Sequence, residues 1–402
     1  MTWRSVALRD CMKLSSGGTP NKGKPEYWVG DIPWVSSGEM SRSFINDTSL
    51  HISEAGAATG SRLVPAGTIF AVVRGMSLAT EFRVSYATRQ VAFNQDLKAL
   101  AAKEGVDPYF LFSSLRAHAS DIRDLATEAA HGTKKLETER LESFQIKIPD
   151  LKTQCRVAAL IKAYDDLIEN NQRRIKLLEE AARRLYREWF IALRFPGHER
   201  VQVADGVPQG WSRRTFGDVC DAAGGATPST ARADFWNGDL TWLTPTDVTR
   251  NKCLYLAGSS RKITSSGLES CSAQLLPAGT IFMTSRASIG YFAILDHAAC
   301  TNQGFISIVP TTTHSREFLL FHLMSRVPEF ISRSTGSTFL ELSKKTFRAM
   351  ECIWPTDKVL EQYSCQVGPI LKQIEALKKQ LDAAGQARDA LLPRLMSGAL
   401  EV

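Results

Sequence analysis

The sequence predicts an α+β protein: two duplicated α+β domains, separated by two long helices that pair as an antiparallel intramolecular coiled coil about a pseudo-twofold axis. Three observations carry this. The hexapeptide PAGTIF occurs twice, at residues 65–70 and 277–282. Further landmarks recur around it in unchanged order, with offsets that stay between 204 and 212. After each copy, strand signals give way to a long heptad-spaced segment. A period of half the chain means two large domains and not a solenoid.

The landmarks run as follows. Trp3 matches Trp211, each opening a short segment. The turn GGTP at 17–20 matches GGATP at 224–228, and YWVGDIPW at 27–34 matches FWNGDLTW at 235–242. After the two PAGTIF copies come Asn94-Gln95 and Asn302-Gln303, then Gly132 and Gly336, then Ile148-Pro149 and Trp354-Pro355. One such match would be a common turn; seven in order are a duplication. Within each copy, β-branched and aromatic runs such as TIFAVV and FISIV alternate with Gly, Pro, Ser and Asn turns. Pro65 and Pro277 preset a turn, and Gly67 and Gly279 release the backbone. One helix closes each copy. The first starts with Asp107 as N-cap and Pro108 at N1 and is expected to run to Gly132; the second is REFLLFHLMSRVPEFISRS, before Gly336.

After Pro149, Gly and Pro vanish until Pro196. Apolar residues now alternate in steps of four and three: Val157, Ile161, Tyr164, Ile168, the polar Asn171, Ile175, Leu178, Ala182, Leu185 and Trp189. The seam returns at Tyr363, Val367, Ile370, Ile374, Leu377, Leu381, Ala384, Arg388, Leu391 and Leu395, each 206 residues beyond its partner. An antiparallel pair is the natural solution, giving a rod of roughly 60 Å for about 40 residues. Asn171 is expected to set register at some cost in stability. The stem of Arg388 is expected to lie along the seam with its head in water. Gly368-Pro369, Gly385 and Pro393 predict a kink or break in the second helix. The resulting domains are 1–150, a central helix 151–197, 198–356, and a C-terminal helix 357–402.

Composition narrows the function. A chain of 402 residues, 44% hydrophobic and 23% charged, is a folded protein of two to four units. The N-terminus lacks a basic and then apolar leader, and no apolar run reaches the roughly 18 residues of a membrane span, so the expected location is the cytoplasm, with no membrane partner. The eight cysteines form no CxxC pair and are expected to be reduced thiols, with no metal site. A net charge of +7 favours a polyanionic partner. Residues 18–24 (GTPNKGK) fit seven positions of a P-loop, but Pro25 stands where Ser or Thr would meet magnesium, and no helix pattern follows. There is no GxGxxG after a strand, no HExxH, no GxSxG, and no Asn/Asp-Pro-Pro-aromatic segment. The pair Asp165-Asp166 reads as the solvated face of a helix. Nothing suggests catalysis. Two similar basic domains on a rod suit duplex DNA, whose grooves repeat every ~34 Å.

At this point the chain resembles the specificity (S) subunits of type I restriction-modification systems, the HsdS family. The matching features are the GGTP turn, W-x-G-D-x-x-W, PAGTIF with a following Arg, the Asn-Gln pair, and the segments LLEEAARRLYREWF and LLPRLMSGAL. The resemblance covers residues 1–402. It implies two target-recognition domains, each reading one half of a split sequence in double-stranded DNA, at a spacing set by the helices. It also implies two modification (methyltransferase) subunits docked on the helices and restriction/translocase subunits joining them. S-adenosylmethionine, ATP and magnesium would then sit on those partners, with no cofactor and no catalytic residue in this chain. Apolar positions off the seam, such as Leu160, Leu167, Leu177 and Phe190, would be left for partner subunits.

DNA contacts are expected from polar and basic turn residues, phosphates holding register and base edges giving specificity. In the first domain these are Thr19, Lys22, Lys24, Ser36, Ser37, Arg74, Ser77, Lys134 and Lys135. In the second they are Thr227, Ser229, Arg232, Thr244, Thr246, Arg286, Ser288, Lys344 and Lys345. Arg74 and Arg286, each following a PAGTIF strand, lead; their alternative is a structural pair with a carboxylate. The Asn-Gln pairs could read adenine, but their presence in both copies favours a structural role. Two other classes stay open: a stand-alone DNA-binding or architectural protein without a methyltransferase partner, and an enzyme with unfamiliar motifs.

Overall fold

The computed structural model describes residues 3–129, 133–312 and 314–402; the Gly132 landmark lies outside them. The chain divides into two compact units, Met1–Leu167 with Ala384–Val402, and Ile168–Ala383. Both are α+β, and each contains a segment of both long helices.

In the first unit, Arg4–Ala7 pairs antiparallel with Gln145–Ile148. A five-stranded sheet follows, in the order Met12–Ser16, Leu97–Ala102, Ile69–Val72, Val84–Ala87, Phe44–Ile45. Its central strand is the first PAGTIF strand. All four residues of Ile69–Val72 are buried, because the strand has a core on each face. Ile69 and Ala71 join a cluster with Phe110, Leu111 and Leu115 of the helix Pro108–Ala117. Phe70 and Val72 join a second cluster with Val35 and Phe93. The preceding turn needs Gly67, whose φ is +88°. A second sheet sets Ile32–Val35 between His51–Ile52, antiparallel, and Val91–Phe93, parallel.

The second unit repeats this plan. Ser212–Thr215 pairs with Glu351–Trp354. The sheet order is Cys220–Ala223, Phe305–Pro310, Ile281–Thr284, Phe292–Ile294. Ile281 and Met283 face one core and Phe282 another, and Gly279 has φ +81°. Trp236–Leu243 lies between antiparallel Arg261–Ile263 and parallel Ala299–Thr301. The tryptophans of the two W-x-G-D-x-x-W segments do the same work. Trp28 and Trp34 meet edge to face at 5.1 Å, as do Trp236 and Trp242. Trp34 Nε1 donates to the Gly18 carbonyl (3.1 Å) and Trp242 Nε1 to that of Ala226 (2.9 Å).

The closing helices are shorter than expected. Asp107 caps the first through Phe110 N (2.8 Å), with Pro108 at N1. That helix breaks at His118, resumes as Ala119–Asp124, and yields to a strand, Thr127–Glu128, that pairs with Lys134–Lys135. In the second unit, Arg316–Ser325 breaks at Arg326 and resumes as Val327–Ser332, where Pro328 stands in the first turn.

The long helices are Leu151–Tyr186, continued by a π turn over Arg187–Ile191, and Asp357–Met396. The expected break in the second is not found; it runs as one helix through Gly368-Pro369, Gly385 and Pro393. Gly368 has no Cβ for the proline ring to strike, and Pro369 faces solvent, where water can satisfy the carbonyl it strands. In the first unit, Val157 and Ile161 share a core with Leu391, Leu392 and Leu395; Tyr164 is half-buried. In the second, Ile175, Leu178, Ala182, Leu185 and Trp189 share one with Tyr363, Val367, Ile370, Leu371, Ile374, Leu377 and Leu381; Ile168 is half-buried. In both units low-numbered residues of one helix meet high-numbered residues of the other, the antiparallel sense. The apolar stripe is wider than a two-position seam, since Leu371 and Leu392 are buried as well. Asn171 is buried, and its amide nitrogen has no hydrogen-bond partner among the described residues.

Three expectations for the helices are overturned. Asp165 is not on a solvated face: it is buried and accepts from Tyr109 Oη (2.7 Å), Arg116 Nη1 (2.7 Å) and Arg388 Nη1 (2.8 Å). Arg388 therefore turns its head to Asp165, and also to Asp389, instead of to water. Phe190 is buried in its own unit, against Phe318 and Tyr363, because the π turn rotates both Trp189 and Phe190 inward. Leu167 and Leu177 are exposed, and Leu160 is half-buried. Among the described residues no helix is long and apolar enough to cross a membrane.

Candidate nucleic-acid interface

Strand register decides what gathers where. In the first unit Ser16 is in register with Lys98, Val72 with Leu97, and Val35 with Phe93. The segments next to these ends, beginning at Gly17, Ser36, Val73 and Asn94, therefore meet along one edge of the unit. The second unit has the same arrangement: Ala223 aligns with Ser307, Thr284 with Phe305, and Leu243 with Thr301. Segments at Gly224, Thr244, Ser285 and Asn302 share its edge.

The frame of each edge is a duplicated lock. Thr19 Oγ1 donates to Gln95 Oε1 (2.6 Å), and Thr227 Oγ1 to Gln303 Oε1 (2.7 Å). Glycine is required beside each: a Cβ on Gly17 would stand 2.2 Å from the Phe93 oxygen, and one on Gly225 2.1 Å from that of Thr301. Asn94 and Asn302 close the adjoining turn by accepting from the backbone N–H of Asp96 and Gly304. The asparagines thus serve the turn. The glutamines hold the threonines while remaining exposed at the edge.

Of the residues singled out in the first unit, Thr19, Ser36, Ser37, Arg74 and Ser77 belong to this edge. Lys134 and Lys135 join it through a three-stranded ribbon, Thr127–Glu128, Lys134–Lys135, Arg74–Gly75, with Lys135 opposite Arg74. Like charges set side by side repel, a cost that a bound polyanion relieves. Lys135 also pairs with Glu137 (2.9 Å). Lys22 and Lys24 lie further along the exposed loop after the GGTP turn. The Lys24 ammonium sits 5.1 Å over the Tyr27 ring, and Pro25–Tyr27 is a single 3-10 turn, so the P-loop reading has no helix to rest on.

In the second unit, Thr227, Thr244, Thr246, Arg286 and Ser288 belong to the edge, and Ser229 and Arg232 to the loop after its Gly-rich turn. Lys344 reaches the same turn, with Nζ 4.0 Å from where a Cβ on Gly224 would stand; Lys345 follows it at the exposed start of Lys344–Ala349. Several of these groups already have work. The Thr244 hydroxyl donates to Asp247 (2.7 Å) in a capping box at the start of Pro245–Arg250. Arg232 forks onto Asp234 (2.9 and 2.7 Å) over the Phe235 ring. Arg286 faces Glu341 across an isolated bridge, Nε 3.8 Å from the carboxylate. Sequence reasoning passed over the segment around Phe339, because an exposed aromatic carries no periodic signal. It also underweighted Gln95 and Gln303, whose pairing with the recurring threonines was the available clue.

A family model described as the type I restriction modification DNA specificity domain matches residues 1–180 and 208–382. The type I restriction enzyme MjaIX specificity subunit of Methanocaldococcus jannaschii is 35% identical over 176 residues, 43% of this chain and 41% of that protein. The HindI specificity subunit of Haemophilus influenzae is 24% identical over 358 residues, 72% of this chain and 77% of that one. The match to MjaIX, like that to the EcoR124I/EcoR124II specificity subunit of Escherichia coli, spans about two fifths of the relative's length. The crystal structure of a type I restriction-modification S subunit from M. genitalium superposes with a TM-score of 0.66 at 14% identity, covering 98% of this chain and 96% of that one. The two matched stretches take in most of both units, and the chain belongs to the type I restriction-modification DNA specificity family.

Proposed function

We propose that this chain is the DNA-recognition subunit of a type I restriction-modification complex, with no catalytic role of its own. Each unit reads one half of a bipartite target in double-stranded DNA through its edge, at a spacing set by the long helices. Two methyltransferase subunits dock on the helical regions, restriction subunits join them, and S-adenosylmethionine, ATP and magnesium are theirs. The observation that carries the reading is the contrast within the duplicated edges. The frame is the same in both: the Thr–Gln lock, the close-packed glycine and the tryptophan pair. The projecting residues differ, with Lys134-Lys135 across from Arg74-Gly75 in one unit and Leu340-Glu341 across from Arg286-Ala287 in the other. A shared frame with different tips suits two readers of different sequences.

The test is methylome sequencing of a methylation-free host expressing this chain with the methyltransferase subunit encoded beside it. The expected result is a new methylated motif in two parts with a fixed gap. A continuous motif, or none with a folded and bound methyltransferase, would refute the reading.

A further inference from the structure

In the second unit, residues 335–341 form a short β-hairpin with an apolar tip. Thr335 N donates to the Glu341 oxygen (3.0 Å) and Glu341 N to that of Thr335 (2.8 Å). The base is held to the edge by Ala287 N on the Leu340 oxygen and Leu342 N on the Ser285 oxygen (both 2.9 Å). At Gly336, φ is +132° and a Cβ would stand 2.1 Å from the Phe339 oxygen, so the turn is tight. It presents Phe339, 60% exposed, beside Leu340. Two adjoining exposed apolar side chains on a backbone-held hairpin make a small patch of the kind that marks an interaction site. The charges nearby in the chain and across the bridge are mostly cationic: Arg286, Arg333, Lys344 and Lys345 against Glu341, which faces Arg286, and Glu329, which pairs with Arg333. An apolar tip among cations suits a duplex groove, with phosphates for the cations and an apolar base feature for the ring. A two-stranded ribbon fits the major groove, where the apolar base feature is the thymine methyl.

We infer that Phe339 is a specificity-determining residue: the hairpin tip enters the major groove, and its ring covers the C5-methyl group of one thymine in the half-site read by the second unit. This rests on the reading proposed above. The test uses the chain bound to its methyltransferase subunit and duplexes carrying the methylated motif, with each thymidine replaced in turn by deoxyuridine, which deletes only the methyl group. At one thymidine the wild type should bind the deoxyuridine duplex about fourfold more weakly, the worth of one buried methyl group. Phe339→Ala should bind both duplexes alike, and Phe339→Tyr should keep the penalty. A motif without thymidine in that half, no penalty at any thymidine, or a penalty that survives Phe339→Ala would overturn the inference and leave the two-headed reader standing. A continuous motif would remove both.

Discussion

The two units place the buried charge at their long-helix segments differently. The first closes around a buried charge: Asp165, on one helix, gathers Arg388 from the other and Tyr109 and Arg116 from the closing helix. In the second, the equivalent positions are Leu371 for Asp165 and Ala182 for Arg388, both fully buried, and Met324 stands where Arg116 would. The second unit's buried carboxylate is instead Glu317 of its closing helix, paired with Arg316 and accepting from the Ser364 hydroxyl, so the duplicated scaffold has kept its backbone plan and moved the charge off the long helices. Apolar contact is tolerant of partners and register. A buried carboxylate is not, since it must find its cations or remain uncompensated. The first unit also has the harder assembly task, because its core includes Ala384–Val402, which the whole of the second unit separates in sequence from Met1–Leu167.

The largest expected effect breaks this hub. Asp165→Ala strands Arg116 without a counter-charge, leaves Arg388 only the exposed Asp389, and should cost about 3–5 kcal/mol in urea denaturation of the full chain. Grafting the other unit's solution, Asp165→Leu with Arg116→Met and Arg388→Ala, should be close to neutral or stabilising. A cost below about 1 kcal/mol for Asp165→Ala, the scale of a surface pair, would show the hub to be ornamental. Acid sharpens the contrast. Burial pushes the Asp165 carboxyl up, but the Arg116 charge and the hydrogen bonds from Arg116, Arg388 and Tyr109 outweigh it and hold the group below its ordinary value. A depressed folded pKa gives stability that is present above the unfolded value of about 3.9 and lost as pH falls through the folded one. The penalty of Asp165→Asn should therefore be constant above about pH 5 and shrink below pH 4. A penalty unchanged at pH 3 would mean that the carboxylate charge contributes nothing.

The hub also shows what was legible in the sequence. Features that recur at a fixed offset could be read directly: the duplication, the PAGTIF turn with its left-handed glycine, the Asp107 cap and the heptad segments. Each depends on local preference or on comparison of one half with the other. Asp165 and Arg388 depend on neither. They are 223 residues apart, and a heptad pattern cannot say that a polar member will be met by another. Gly368-Pro369 misled for a related reason: helix-breaking propensities are measured without the packed face that Val367, Leu371 and Ile374 provide. At the edges, turn chemistry and the register of three strands were enough to gather most candidates. Which of them were already engaged, as Thr244 and Arg232 are, depended on neighbours that only the fold supplies.

The edges repeat the contrast between the units with the signs reversed. Arg286 is steadied by Glu341, whereas Arg74 faces Lys135. An arginine held by a carboxylate at its side is oriented at modest cost, since both partners are about half exposed. That suits base readout, which needs a fixed fork. Arg286→Ala should weaken or relax the second half-site alone, by ~1–3 kcal/mol if it reads a guanine. An unchanged motif and affinity would return it to a structural role.

The smallest effect should come from the opposite edge. Arg74, Lys134 and Lys135 form a mainly cationic ridge, with Glu128 across from Lys134 and Glu137 paired to Lys135. A ridge of like charges is poorly oriented for reading bases but well suited to phosphates, which reward charge regardless of sequence. Lys135→Ala should leave the methylated motif unchanged in both halves. It should weaken binding about equally for all duplexes and reduce the slope of log K against log salt by about 1. The matching change in the second unit, Glu341→Ala, should free Arg286 and loosen discrimination at the second half-site with little change in that slope. Were Lys135→Ala instead to alter the first half of the motif at constant salt slope, the ridge would be a base reader. The two edges would then differ in sequence preference and not in the kind of contact each makes.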